Sequence, residues 1–217
     1  MTSSNIFVSG NWRAGVVALA VAGSFALAGC NSGDTPGQAA TGSETASVSP
    51  TPSASATPTA AYKPADASGR AQNVPVPVLP EVAKTETKEG LLAFAEYWYA
   101  TLSYAYETGD MAPLKSVSAP GCANCEAAEK IISNWFSNGR WMSGGKIATP
   151  AVETTFIVAP DGNYQVVVQV QQSELRAFKA DGTPADTTVP ATDVAQIFLS
   201  KFDAGSWKLV DAQRLNG

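Results

Sequence analysis

Histidine is absent from the 217 residues, and charge is sparse: 14 Lys+Arg and 19 Asp+Glu make up 15% of the chain. Without histidine, Ser-His-Asp and Cys-His nucleophile systems are excluded, and so are the usual zinc and non-haem iron sites. Any acid–base chemistry falls to Asp, Glu, Tyr or Lys. Basic blocks are missing too. With a net charge of −5 the chain lacks the electrostatic footprint of a phosphate-backbone binder, so nucleic acid is not an expected partner. Gly144-Gly145 belongs to no phosphate-binding pattern, and Asp161, Gly162 and Asn163 do not have the spacing of a calcium loop. No metal, cofactor or catalytic residue is expected.

The sparse charge is also uneven. Residues 1–29 hold one charged side chain, Arg13. Residues 31–80 hold five, and 35 of those 50 are Ser, Thr, Pro, Ala or Gly. Residues 81–217 hold 27 of the 33 charges and four of the five tryptophans. The division predicts a leader over 1–29, a tether over 30–80 and one globular domain over 81–217, long enough to bury its own core.

In the leader, Arg13 precedes the apolar run AGVVALAVAGSFALA from Ala14 to Ala28. A membrane span needs ~20 apolar residues, and this run falls short. A basic flank, a short apolar stretch and small residues form a secretory signal pattern. Leu27-Ala28-Gly29-Cys30 resembles the lipobox of bacterial lipoproteins. That resemblance implies cleavage before Cys30 and transfer of diacylglycerol to its thiol. The chain would then be anchored, through diacylglyceryl-Cys30, to the outer face of the cytoplasmic membrane.

The tether has eight prolines and one aromatic residue, Tyr62. Its stretch SVSPTPSASATPTA, Ser47 to Ala60, lacks the apolar surface to offset the entropy of ordering. As a coil the tether spans ~40 Å, and extended ~150 Å. Thr51, Thr57 and Thr59 are candidate O-glycosylation sites, but a plain spacer is the preferred reading of the composition. The alternating prolines of VPVPVLP, Val74 to Pro80, favour polyproline II leading onto the domain.

The domain opens with a helical period. Leu91, Ala95, Trp98, Leu102 and Ala105 step by 4, 3, 4 and 3, with Thr87 as N-cap and Gly109 as left-handed stop. A short helix is expected over Asp110–Val117, capped by Asp110 and with Pro113 in its first turn. A third runs from about Ala123 to Ser137, with Ala127, Ile131, Trp135, Ile132 and Phe136 inward. After Gly144-Gly145 the period changes to two. Four strands are expected: Ile147–Val158, Tyr164–Phe178, Val194–Phe202 and Trp207–Leu215, with a long loop from Asp181 to Pro190. Helices followed by a strand meander predict α+β, with three helices on a curved four-stranded antiparallel sheet.

That element order resembles the cystatin-like cone of the ketosteroid isomerase and nuclear transport factor group. The segment GLLAFAEYWYATLSYAYETGDMAPLKSVSAPGCANC, Gly90 to Cys125, is similar to a family of actinobacterial lipoproteins without an assigned function. The cone resemblance implies a bent sheet around the first helix, with ligand pockets on its concave face. The possible pocket or rim residues are then Tyr97, Tyr99, Tyr104, Tyr106 and Trp141. Tyr99 and Tyr106 share one helix face seven residues apart, and both are expected at the rim. The alternative is that the rings fill the core. Cys122 and Cys125, left over once Cys30 is acylated, form a disulfide by default outside the cytoplasm, worth ~2 kcal/mol. A redox dithiol is the alternative, since a helix N-terminus lowers a thiol pKa. The expected function is a non-catalytic binding domain for a cell-envelope ligand or protein partner. A filled cone serving protein interaction, or a ketosteroid-isomerase-like enzyme, would be the other readings.

Overall fold

Residues 60–215 are described by a computed structural model. The expected signal segment, Cys30, the spacer before Ala60, and Thr51, Thr57 and Thr59 lie outside the described residues. Among the described residues there are three α-helices and seven strands.

Helix α1, Lys88–Thr108, begins where the sequence places it. Thr87 is extended, and its hydroxyl accepts from the Gly90 N–H at 3.0 Å. The helix stops at Gly109, whose φ of 80° is the left-handed conformation that favours glycine. A Cβ at Gly109 would also press into the Phe136 ring. Helix α2 spans Ala112–Ser116, two residues later than expected at its start. Its N-cap is Met111 rather than the expected Asp110, which lies one residue earlier and whose carboxylate accepts from the Ala112 N–H at 2.9 Å. In helix α3, Ala123–Phe136, the Sγ of Cys122 takes the N-cap role and accepts from the Cys125 N–H at 3.2 Å. Cys122 and Cys125 are disulfide-bonded, with Cα atoms 5.2 Å apart.

The strands are β1 (Trp141–Gly144), β2 (Ile147–Glu153), β3 (Tyr164–Gln172), β4 (Leu175–Phe178), β5 (Pro184–Val189), β6 (Thr192–Asp203) and β7 (Ser206–Arg214). They form two antiparallel sheets, ordered β1-β4-β5 and β2-β3-β6-β7. The expectation of one four-stranded sheet is therefore corrected. The stretch Tyr164–Phe178 breaks at Ser173-Glu174, and the expected loop before Pro190 contains β5. The cause lies at one level of the fold. Gly144 and Gly145 both have positive φ, and a Cβ at Gly144 would collide with the Glu174 carbonyl. The Gly145 N–H donates to that same carbonyl at 3.0 Å. Pro190, between β5 and β6, has no N–H for a ladder.

The domain also begins earlier than Glu81. Lys63 and Gln72 exchange backbone hydrogen bonds, and the Trp141 indole N–H donates to the Asp66 carbonyl at 2.8 Å. Arg70 donates to the Arg140 carbonyl at 2.9 Å and lies 5.6 Å from the Phe136 ring centroid. Val74 and Pro77 are half-buried, three residues apart, as the polyproline period requires. Hydrophobic content did not reveal this segment, because backbone pairs and one guanidinium hold it. The described residues all fall within one compact unit, Ser55–Gly217.

The core lies between α1 and the inner face of the four-stranded sheet. Leu91, Phe94, Ala95, Trp98 and Ala105 are buried against Val166, Val168, Val170, Phe198, Trp207 and Leu209. Fully burying a side chain such as Leu or Phe contributes ~1.5–3 kcal/mol. Of the residues of α3 expected inward, Ile132 is buried and Trp135 and Phe136 are half-buried against the core, but Ala127 is exposed and Ile131 is 51% exposed; Cys125 is buried as well. The helix is rotated so that its disulfide end seats against the domain.

Candidate functional site

The inner rows of the sheet change character along their length. On β3 the row is Tyr164, Val166, Val168, Val170 and Gln172; on β6, read in the parallel direction, it is Phe202, Ser200, Phe198, Gln196, Val194 and Thr192. Their first members meet Trp207 and α1 in a ring cluster. Centroid separations there are 5.9 Å for Phe94–Phe198, 5.1 Å for Tyr164–Trp207 and 5.0 Å for Phe202–Trp207. Towards the other end the rings stop and the rows turn polar.

There α1, α3 and the sheet separate and leave a cleft of about 320 Å³. Helix α1 contributes Tyr99, Leu102 and Tyr106, and α3 contributes Asn124, Ala127, Ala128 and Ile131. The sheets contribute Val170, Gln172, Val189, Thr192, Val194, Gln196, Ala212 and Arg214. The misplaced α3 stripe thus has a location: Ala127 and Ile131 face the cleft rather than the core.

Tyr99 and Tyr106 do come together in the cleft, but Tyr99 is no rim residue. It is 2% exposed, and its O–H donates to Gln196 Oε1 at 2.8 Å. The Trp98 and Phe198 rings pack against it, at 5.0 and 5.9 Å, so Tyr99 forms a core wall of the cleft. Burial pushes its phenol well above the ordinary value, and burial also raises that of the half-buried Tyr106. Both present neutral O–H groups at neutral pH.

The other candidates lie elsewhere. Tyr97 and Tyr104 precede Tyr99 and Tyr106 by two residues, about 200° around the helix. Tyr104 borders a groove with Tyr62, Pro75 and Pro77, and its O–H donates to Asp110 Oδ2 at 3.4 Å. Tyr97 is half-buried beside the core. Trp141 is buried, stacked 5.6 Å from Phe178, and holds the Asp66 turn through its indole N–H.

Gln172, Gln196 and Arg214 were not singled out from the sequence. The two glutamines did leave a signal: Gln172 follows the apolar alternation Tyr164, Val166, Val168 and Val170, and Gln196 stands between Val194 and Phe198 at the same spacing. Chemically, the cleft offers apolar walls, neutral donors and acceptors, and one cation. Among the described residues no Asp or Glu lines it. The nearby Asp211 carboxylate accepts from the Asn124 side-chain amide at 3.0 Å, and hydrogen bonds from Gln213 and Asn124 bring its pKa below the ordinary value despite the opposing effect of burial.

A family model matches residues 60–213, starting where the described segment starts. The chain belongs to DUF6318, a family of unknown function. No curated protein matches it. Among solved structures it is similar to the intermembrane space region of the chloroplast protein ARC6. Identity there is 14%, coverage is 60% of this chain and 98% of that one, and the TM-score is 0.41. An uncharacterized protein with a cystatin-like fold from Caulobacter vibrioides is 14% identical over 56% of this chain and 87% of its own, with a TM-score of 0.37. Aln2 from a Streptomyces species is 11% identical over 58% and 89%, also with a TM-score of 0.37.

Proposed function

We propose that this DUF6318 member is a lipid-anchored, extracytoplasmic protein whose domain binds a small ligand with an apolar body, without catalysing a reaction. In this reading residues 1–29 direct export, Cys30 carries diacylglycerol, and the chain before Ala60 spaces the domain from the outer face of the cytoplasmic membrane. The domain is a cystatin-like cone in which the bent sheet wraps α1. The observation that carries the binding function is the cleft between α1, α3 and the sheet. Its volume of about 320 Å³ falls at the lower end of small-molecule sites. Apolar walls with a few convergent polar groups are what such sites need. Ketosteroid-isomerase-like chemistry needs a carboxylate base facing the substrate, and the lining offers none.

Two experiments test the two halves. Metabolic labelling with a fatty-acid probe should mark the wild-type chain and not Cys30→Ser; labelling of the variant removes the anchor. For the cleft, the neutral dye Nile red should bind with blue-shifted emission, and Ala128→Trp should fill the space and abolish that signal while the melt stays cooperative. An unchanged signal in Ala128→Trp, or no binding by the wild type, removes the small-molecule reading. The protein-partner reading would then rest on the exposed lips Ile131 and Val189.

A further inference from the structure

We infer that the cleft takes a single-chain anionic amphiphile, with its carboxylate on Arg214 and its chain between α1 and the sheet. The inference rests on the binding reading above and adds the ligand class. Arg214 is opposite Gln196 in the β6–β7 register, and Gln196 is the residue that holds Tyr99. Arg214 therefore projects from the inner face of the sheet, at the mouth of the cleft. It has no ion-pair partner among the described residues. Among the described residues it is the one charged side chain of the lining. A guanidinium presents paired N–H donors that match a carboxylate.

The rest of the cleft fixes the remainder of the ligand. Leu102, Val170, Val194, Ala212 and Ile131 offer apolar surface to a chain. Ile131 is 51% exposed and Val189 40%, so the lips stand open and unpartnered among the described residues. A single cation, with the Asp211 carboxylate held by the lining residue Asn124 at 3.0 Å, suits one negative charge better than two. The protein's own tether is a poor occupant: between Asn31 and Thr59 its one sizeable apolar side chain is Val48.

The test is calorimetric titration of the Ser55–Gly217 unit with three probes of equal chain length: decanoate and decyltrimethylammonium below their micellar ranges, and decanol below its solubility limit. Decanoate should bind at least about ten-fold more tightly than decanol, the scale of one charge-assisted hydrogen bond, and the cation should bind most weakly. Arg214→Gln should lower decanoate affinity to that of decanol and leave decanol unchanged, while Arg214→Lys should retain part of the preference. Ala128→Trp should remove decanoate binding. Equal binding of decanoate and decanol by the wild type, no effect of Arg214→Gln, or decanoate binding that survives Ala128→Trp would overturn the inference. The first two outcomes leave the binding reading standing. If neither decanoate nor decanol binds, the binding reading itself fails and takes the ligand class with it.

Discussion

At one end of the four-stranded sheet the inner positions carry Tyr164, Phe202, Phe198 and Trp207; at the other, the same strands present Gln172, Thr192, Gln196 and Arg214. Helix α1 runs past both ends, giving Phe94 to the first and Tyr106 to the second. The first end excludes water with interlocked rings. The second leaves open space lined by groups that can still form hydrogen bonds. Cohesion and recognition are thus separated along one helix, and Tyr99 sits at the border, its ring in the core and its hydroxyl on Gln196.

That contrast can be broken at three points, beginning with the largest effect. Phe198→Ala should cost ~3–5 kcal/mol in a urea melt, because three rings of α1 lose their common partner and the space cannot collapse fully. A loss below ~2 kcal/mol would mean that the packed end is held elsewhere. Tyr99→Phe should cost about 1 kcal/mol near neutral pH, the net value of one hydrogen bond.

The same variant carries a pH signature. The Tyr99 phenol is raised above its ordinary 10.0 by burial, so the folded state keeps a proton that the unfolded state releases. Its contribution is present in full below pH 10.0 and falls as pH rises further, by about 1.4 kcal/mol per pH unit. The alkaline limb of the stability curve should be shallower by that amount in Tyr99→Phe, and parallel limbs would contradict the burial. Smallest of all, Ile131→Ser at the lip should change stability by less than ~0.5 kcal/mol. A large loss there would show that the lip is part of the core.

Much of the packed end was legible in the sequence. The 4-3-4-3 spacing from Leu91 to Ala105, Thr87 and Gly109 located α1 to the residue, since a cap, a period and a stop are local features. The Val166-Val168-Val170 alternation likewise placed the inner row of β3. The open end was less legible. On α3 the apolar residues cover a wide arc, and periodicity does not say which part of it faces the core. The disulfide end, seated against the domain, chose Cys125 and Ile132 and turned Ile131 to the cleft. The segment before Glu81 was read as tether because it is poor in apolar residues, while its order comes from Arg70, the Lys63–Gln72 pair and the Trp141 indole.

The sequence by itself determined the bounds of α1, the alternation in β3 and the pairing of two close cysteines. These depend on neighbours within a few residues. Only the tertiary structure decided which way Arg214 faces. Strict alternation from Trp207 and Leu209 would put Asp211 and Gln213 inward and Arg214 outward. A bulge in the β6–β7 pairing, between Leu199 and Ser200, sets Leu209 opposite Ser200 and Asp211 opposite Leu199, so Val210 is the extra residue. The phase of β7 shifts by one, Ala212 becomes buried opposite Phe198, and Arg214 comes to the inner face opposite Gln196. A bulge is a property of two paired strands, so β7 read alone gives the opposite face for Arg214.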